Sequence, residues 1–177
     1  MNAMRFVNIL EVDPSIQEKV RVWRNKDEVK NWMFNQGIIS VEDHQKWLKA
    51  LAVRNDREFW VVFVGEIPVG AAYLHDMDHD HKISEWGFYI GEGAYKGRGL
   101  GKHILYKLLV EFFDVKRFTM LRTKVFSANE AAIHLYRKFF FQEKERFLDN
   151  GTKVCIFEFT QALWQKFKAK IGELLNV

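Results

Sequence analysis

The chain has 177 residues, 48% of them hydrophobic and 28% charged, with 27 Lys and Arg against 23 Asp and Glu. That length suits one domain with a sizeable core, and the composition excludes a disordered tail, collagen, a coiled coil and low-complexity sequence. The formal net charge of +4 is mild, and no block of five like charges follows a phosphate backbone, so nucleic acid is not expected as a partner. Cys155 is the single cysteine and can form no intrachain disulfide. Neither a signal peptide nor an apolar run of about 20 residues is found, so no membrane is expected and a reducing cytoplasm is the expected location. Aromatic residues reach 15%, with 16 Phe and 6 Trp, more than a core of this size requires; some of the rings are expected to line a ligand pocket.

Met1 to Ala3 precede a second methionine, Met4, could be a cloning remnant, and are set aside. A first strand is expected from Arg5 to Glu11, followed by a helix entered through Asp13 as cap and Pro14 at the first position and continuing through Trp23. Asp27 to Phe34 reads as a second short helix. Ser40 and Asp43 form an approximate capping box for a third, whose apolar stripe is Ile39, Trp47, Leu48 and Leu51. Glu58 to Val64 and Val69 to Leu74 read as a hairpin around Gly65 to Pro68. A turn over His75 to Lys82 leads to a strand from Ile83 to Ile90. After a glycine-rich stretch comes a helix from Leu100 to Phe113, a strand from Leu121 to Phe126, a helix from Asn129 to Phe139 and a strand from Phe141 to Leu148. Asp149-Asn150-Gly151 turns the chain into a strand over Lys153 to Phe159, and a last helix runs from Gln161 to Leu175. No linker and no repeat interrupts this order, so one α+β domain over residues 1–177 is expected.

The most informative segment is Tyr95-Lys96-Gly97-Arg98-Gly99-Leu100-Gly101-Lys102, between a strand and a helix. Closely spaced glycines let successive N–H groups turn toward one point, and the helix start adds its positive end, so this loop can cradle a pyrophosphate. Lys96, Arg98 and Lys102 add charge. A Walker loop fails because position 96 is Lys and His103 follows Lys102; the dinucleotide fingerprint fails because Ile104 stands where a third glycine belongs. The plainer reading is a glycine-rich turn. About 30 residues on, Asn129-Glu130-Ala131-Ala132-Ile133-His134-Leu135-Tyr136 offers Asn129 as a helix cap and Tyr136 two turns down that helix, aimed at a cleft or half-buried in the core.

Together these segments resemble the GCN5-related N-acetyltransferase (GNAT) superfamily, whose acetyl-CoA loop runs Arg/Gln-x-x-Gly-x-Gly/Ala and whose helix carries Asn-x-x-Ala-x-x-Leu-Tyr. The resemblance covers about Trp60 to Phe159 and implies a mixed, mostly antiparallel seven-stranded sheet flanked by helices, with residues 58–160 as the acetyl-CoA-binding core and 5–55 as a substrate-side arm. It implies cosubstrate contacts from Ile90, Lys96, Gly97, Arg98, Gly99, Leu100, Gly101, Lys102 and Asn129. Phe140 departs from the pattern, which has Gly at this point. A narrower resemblance, carried by Trp23-Arg24-Asn25, Trp32-Met33-Phe34, Ile39-Ser40, His44, Trp47 and Glu85 to Tyr89, is to the bacterial N-acetyltransferases of the pseudaminic acid pathway. It implies that Arg24, Met33, Phe34, His44 and Trp47 line a pocket for a UDP-linked 4-amino-4,6-dideoxy-sugar. Those residue types suit a uracil ring and a diphosphate, although Met33, Phe34 and Trp47 could equally pack helix on sheet.

Acetyl transfer to an amine needs a base, a polarised carbonyl and a proton for the departing thiolate. Glu85 is the candidate base, acting directly or through water, and shares a strand face with Gly87 and Tyr89; Tyr89 could orient the sugar or relay a proton. Backbone N–H groups suit the carbonyl. The superfamily resemblance implies the acid role for Tyr136. Cys155 lacks an activating partner, so direct transfer is expected rather than an acetyl-cysteine route. The run His75-Asp76-Met77-Asp78-His79-Asp80-His81 imitates a calcium loop, but His81 stands where Gly is needed and Gly87 where Glu should close it, so a solvated turn is expected and no metal. A polyamine or protein N-terminus as acceptor, or a non-catalytic acyl-CoA-binding module, are the competing readings. A homodimer paired through an exposed strand at Val154 to Phe159 is a further possibility.

Overall fold

The computed structural model describes residues 3–176; Met1 and Asn2 of the segment set aside above lie outside them. Seven strands form one sheet in the order β1-β2-β3-β4-β5-β7-β6. They are β1 (Met4–Asn8), β2 (Glu58–Val64), β3 (Ile67–Asp78), β4 (Ile83–Ile90), β5 (Met120–Phe126), β6 (Gln142–Asp149) and β7 (Thr152–Thr160). The helices are α1 (Pro14–Asn25), α2 (Asp27–Lys30), α3 (Val41–Leu51), α4 (Leu100–Leu109), α5 (Glu130–Lys138) and α6 (Gln161–Glu173). This is the α+β, mixed and mostly antiparallel arrangement expected, with β4 and β5 as a parallel pair.

Several boundaries differ from expectation. The first strand stops at Asn8, whose side chain accepts the Leu10 N–H and starts a 3-10 turn over Ile9–Glu11. The second helix is a single turn, Asp27–Lys30, and residues 31–40 have no regular structure. The expected turn at His75 begins only after Asp78, because β3 runs on. α4 ends at Leu109 and widens into a π-type turn over Val110–Val115, closed by the Lys116 N–H on the Glu111 carbonyl at 2.9 Å. The wider turn carries Phe112 and Phe113, neighbours in sequence, both fully into the core. β7 is no exposed edge: it pairs with β5 on one side and β6 on the other, which removes Val154 to Phe159 as a dimer seam. The edges of the sheet are β1 and β6.

Two compact units are distinguished. The first comprises the chain up to His75 together with Gly87–Leu100. Here Asp13 caps α1 by accepting the Ser15 N–H at 2.8 Å, with Pro14 at the first helical position. Ser40 caps α3 by accepting the Asp43 N–H at 3.0 Å while its hydroxyl donates to the Asp43 carboxylate. The two helices bury Val20, Trp23, Leu48 and Leu51 against Val61, Phe63, Ala71 and Tyr89. Gly91 is required by this packing, since a Cβ there would lie 2.2 Å from Trp23 Cγ. The Trp23 indole N–H donates to Glu92 at 3.0 Å, and Lys26 donates to the Gly91 carbonyl at 3.0 Å.

The second unit comprises Asp76–Trp86 and the chain from Gly101 on. Its core is aromatic: Phe113 stacks on Trp164, Phe141 lies against Phe159, and Phe112 meets Phe118. Asp114 accepts from the Trp164 indole at 2.9 Å and from Lys168 at 2.7 Å, which anchors α6. α5 leaves through Phe140 at φ 63, with the Phe140 N–H on the Arg137 carbonyl and the Phe141 N–H on the Tyr136 carbonyl, both at 3.0 Å. These two bonds make a Schellman exit, normally a glycine position. Phe140 occupies it while stacked on Phe167, with 4.1 Å between ring centroids.

Candidate active site

Three groups of residues come from the first unit. Along one side runs an aromatic row: His44 stacks on Trp47 at 5.3 Å, Trp47 meets Phe59 edge-on at 5.0 Å, and Phe59 stacks on Tyr73 at 5.5 Å. Next to it is a polar group of Arg24, Tyr73 and Tyr89. The guanidinium of Arg24 donates one N–H to the Asn35 carbonyl, while Nη1 is buried with no partner. The hydroxyl of Tyr89 is also buried with no partner, and that of Tyr73 donates only to the Met33 sulfur at 3.9 Å. Burial lowers the Arg24 pKa, opposed by Tyr73 and Tyr89. Burial raises those of both phenols, so each stays protonated. Tyr73 and Phe59 carry no motif; the clue to Tyr73 is strand alternation through Ala71 and His75, with Gly87 absent of side chain opposite it.

Residues 31–39 form a strap bound to α1 by side chains. The Asn25 amide both donates to the Ile39 carbonyl and accepts its N–H, each at 2.9 Å, and Arg21 donates to the same carbonyl at 2.8 Å. On this strap Met33 faces the core cluster while Phe34 is 45% exposed. His44 was expected to donate to a diphosphate; instead it is 3% exposed and its Nε2 lies 2.9 Å from the Gln17 carbonyl. Burial lowers its pKa, and the one N–H of the neutral ring is used inside the fold.

The third group is the glycine loop. Gly97 and Gly99 have φ of 72° and 75°, and a Cβ on Gly97 would meet nothing within 4 Å. Space in front of the loop is open, and its left-handed turns precede the first turn of the ten-residue α4. Arg98 is exposed and has no partner among the described residues. Lys96 is not a free cation: it pairs with Glu28 of α2 at 3.1 Å. Leu100 is buried and anchors the loop, and Ile90, half-buried, ends β4.

In the second unit, Gly101 opens the continuation of α4, and Lys102 donates to the Leu174 carbonyl at 2.9 Å, a second cation already engaged. Asn129 caps α5 by accepting the Ala132 N–H at 3.2 Å. Tyr136 is 7% exposed, caged by Trp86 at 5.3 Å, Phe141 at 5.6 Å and Phe157 at 5.5 Å. The parallel ladder of β4 and β5 pairs only Ile83–Glu85 with Met120–Arg122. Past Glu85 the β4 backbone leaves that ladder, and the Trp86 carbonyl accepts instead from the Thr123 hydroxyl at 3.3 Å. Glu85 is half-buried, and a carboxylate oxygen of Asp76 lies within 4.8 Å of one of its own. Asp76 sits in β3 at φ 49, a left-handed kink that redirects its side chain. Asp78, the apparent calcium ligand, accepts the N–H groups of Asp80 and His81 and the His81 ring, closing the turn.

A family model described as "Acetyltransferase (GNAT) family" matches residues 18–141. The chain belongs to this acetyltransferase family, and its cosubstrate is acetyl-CoA. The open glycine loop, its unpaired Arg98 and the helix start behind it fit a pyrophosphate. The chain is 23% identical over 135 residues to "Acetyltransferase PseH" of Campylobacter jejuni, covering 76% of this chain and 82% of that protein. It is 35% identical over 106 residues to the "Spermine/spermidine N(1)-acetyltransferase" of Bacillus subtilis, covering 51% and 69%. Among solved structures, Vibrio cholerae spermidine N-acetyltransferase in complex with CoA and spermine superposes with a TM-score of 0.83 at 16% identity, over 92% of this chain and 98% of that one. Campylobacter jejuni PseH gives 0.71 at 20%, over 89% and 98%. Among the described residues no helix is long and apolar enough to cross a membrane.

Proposed function

We propose that this acetyltransferase acts on the 4-amino group of a UDP-linked amino-deoxy sugar, as in pseudaminic acid biosynthesis. The observation that carries the reading is Arg24: a half-buried guanidinium with an unpartnered Nη1. A fixed cation here disfavours a polyamine, which carries several positive charges, and favours an oxygen-rich or anionic acceptor. Met33, Trp47 and the exposed ring of Phe34 supply stacking surface for a base. The similarity to PseH over three quarters of the chain supports the same acceptor. The polyamine alternative rests on the similarity to the Bacillus and Vibrio enzymes, which are named for polyamines.

Acetyl-CoA supplies an activated acyl carbon and a thiolate leaving group. The chain's own residues do the rest. The backbone N–H groups of Gly97 and Gly99 and the Arg98 side chain hold the pyrophosphate. Past Glu85 the β4 backbone lies outside the β5 ladder, and an N–H group of this stretch suits a developing oxyanion. Glu85 accepts the proton of the ammonium, with Asp76 as neighbouring carboxylate, and Tyr136 returns a proton to sulfur. The deciding assay is thiol release from acetyl-CoA with UDP-4-amino-4,6-dideoxy-N-acetyl-altrosamine, spermidine and a free N-terminal peptide in parallel. Turnover with the sugar alone is expected; turnover with spermidine alone overturns the acceptor assignment and leaves the acetyltransferase intact.

A further inference from the structure

Native proteins leave few buried polar groups without partners, because each such group forfeits its hydrogen bonds to water and gains none in exchange. The first unit has two in one neighbourhood, Arg24 Nη1 and the Tyr89 hydroxyl, on a tyrosine only 7% exposed. The Tyr73 hydroxyl is nearly a third, since a thioether sulfur at 3.9 Å is a weak acceptor. All three lie within electrostatic reach of one another. The position of Tyr73 is held on two sides. Its ring stacks on Phe59 with planes 4° apart, and its hydroxyl sits over Gly87, where an added Cβ would be 2.5 Å away. Gly87 and Tyr89 alternate on one face of β4. Glycine at 87 is therefore the residue that admits the phenol to this face.

We propose that Tyr73 is a specificity-determining residue: with Tyr89 and Arg24 it forms a cradle for an oxygen atom of the acceptor molecule. A guanidinium N–H and two phenols in one neighbourhood can all donate, so an acceptor such as a hydroxyl, carbonyl, carboxylate or phosphate oxygen suits them. Amino sugars and peptide N-termini carry such an oxygen beside the amine. Polyamines carry none, and their cationic chain cannot satisfy a guanidinium. The cradle rests on the acetyltransferase reading and narrows its acceptor class without depending on the nucleotide.

Tyr73→Phe and Tyr89→Phe test the cradle, because each removes one hydroxyl and keeps the ring. Urea unfolding of the free enzyme is combined with steady-state kinetics, and with calorimetric binding in the presence of CoA, for the UDP-amino sugar, a free N-terminal peptide and spermidine. The expected result is unchanged or higher stability of the free variants, an acceptor KM raised about tenfold, and a kcat within a few-fold for Tyr73→Phe. A variant that loses stability while its acceptor KM stays put shows the hydroxyl to be structural and overturns the cradle. Spermidine bound and turned over in preference to both oxygen-bearing amines overturns it too, as does failure of both of these to bind. Turnover of the peptide but not the sugar, sensitive to both variants, upholds the cradle and overturns the nucleotide-sugar acceptor. Sugar turnover insensitive to both variants does the reverse.

Discussion

Tyr136 combines two properties that pull apart in most tyrosines: it is packed among Trp86, Phe141 and Phe157, yet it occupies the motif position that points to proton donation. The cage survives removal of the hydroxyl, so Tyr136→Phe separates the roles. A fall of about 10² in kcat is expected, with the KM for acetyl-CoA little changed, as measured by steady-state thiol release; an unaltered kcat would leave Tyr136 as a core residue only. His44 makes a prediction about pH. Its folded pKa is lowered by burial below the unfolded value of about 6.5. Below that value the unfolded chain binds the proton first, so stability is level above about pH 6.5 and declines as pH falls through the folded pKa. Thermal unfolding between pH 5 and 8 should show this decline in the parent and a shallower one in His44→Gln, whatever the variant's absolute stability. Equal slopes would place the titration elsewhere.

At the scale of elements, α1 is fastened through its C-terminal turns. Trp23 lies on Gly91 and donates to Glu92, while Arg21, Arg24 and Asn25 hold the strap over residues 31–39. Gly91→Ala forces a methyl into the indole and is expected to destabilise by about 1–3 kcal/mol, read as a lower urea midpoint. The exit of α5 offers a complementary test. A left-handed non-glycine residue costs about 1–2 kcal/mol, offset at Phe140 by its stack on Phe167 and by the Lys170 ammonium 5.3 Å from the ring centroid. Phe140→Ala and Phe140→Gly both lose the stack, but only glycine relieves the backbone. The glycine variant should therefore be about 1 kcal/mol more stable than the alanine variant; identical urea midpoints would mean that the left-handed turn carries no strain.

For the whole molecule, acetyl-CoA binding should appear as thermal stabilisation. At about a hundredfold excess over Kd, linkage gives about 2.7 kcal/mol, a rise of about 5–10 °C in Tm for a chain of this length. Gly99→Val places a branched side chain at φ 75 and should abolish most of that rise, while Arg98→Ala should reduce it. A full ligand-induced shift in Gly99→Val would locate the cosubstrate away from the glycine loop.

Local rules in the chain were sufficient for the caps at Asp13, Ser40 and Asn129, the hairpin turn at Asp149 to Gly151, strand β4 to the residue, and the family through its glycine loop and Asn-to-Tyr helix. Those features depend on neighbours a few positions apart, where capping, turn chemistry and periodicity act. Long-range packing decided the others. Val154 to Phe159 reads as an exposed strand until β5 and β6 flank it, and Lys96 and Lys102 read as free cations until Glu28 and the Leu174 carbonyl meet them. His44 has the chemistry to bind a phosphate, but α1 brings the Gln17 carbonyl to its ring. Tyr73 carries no motif, only its turn in the alternation of β3. Its place over Gly87, within reach of Arg24 and Tyr89, arises because β3 pairs with β4 and α1 packs against the same core, and only that packing determines which side chains meet.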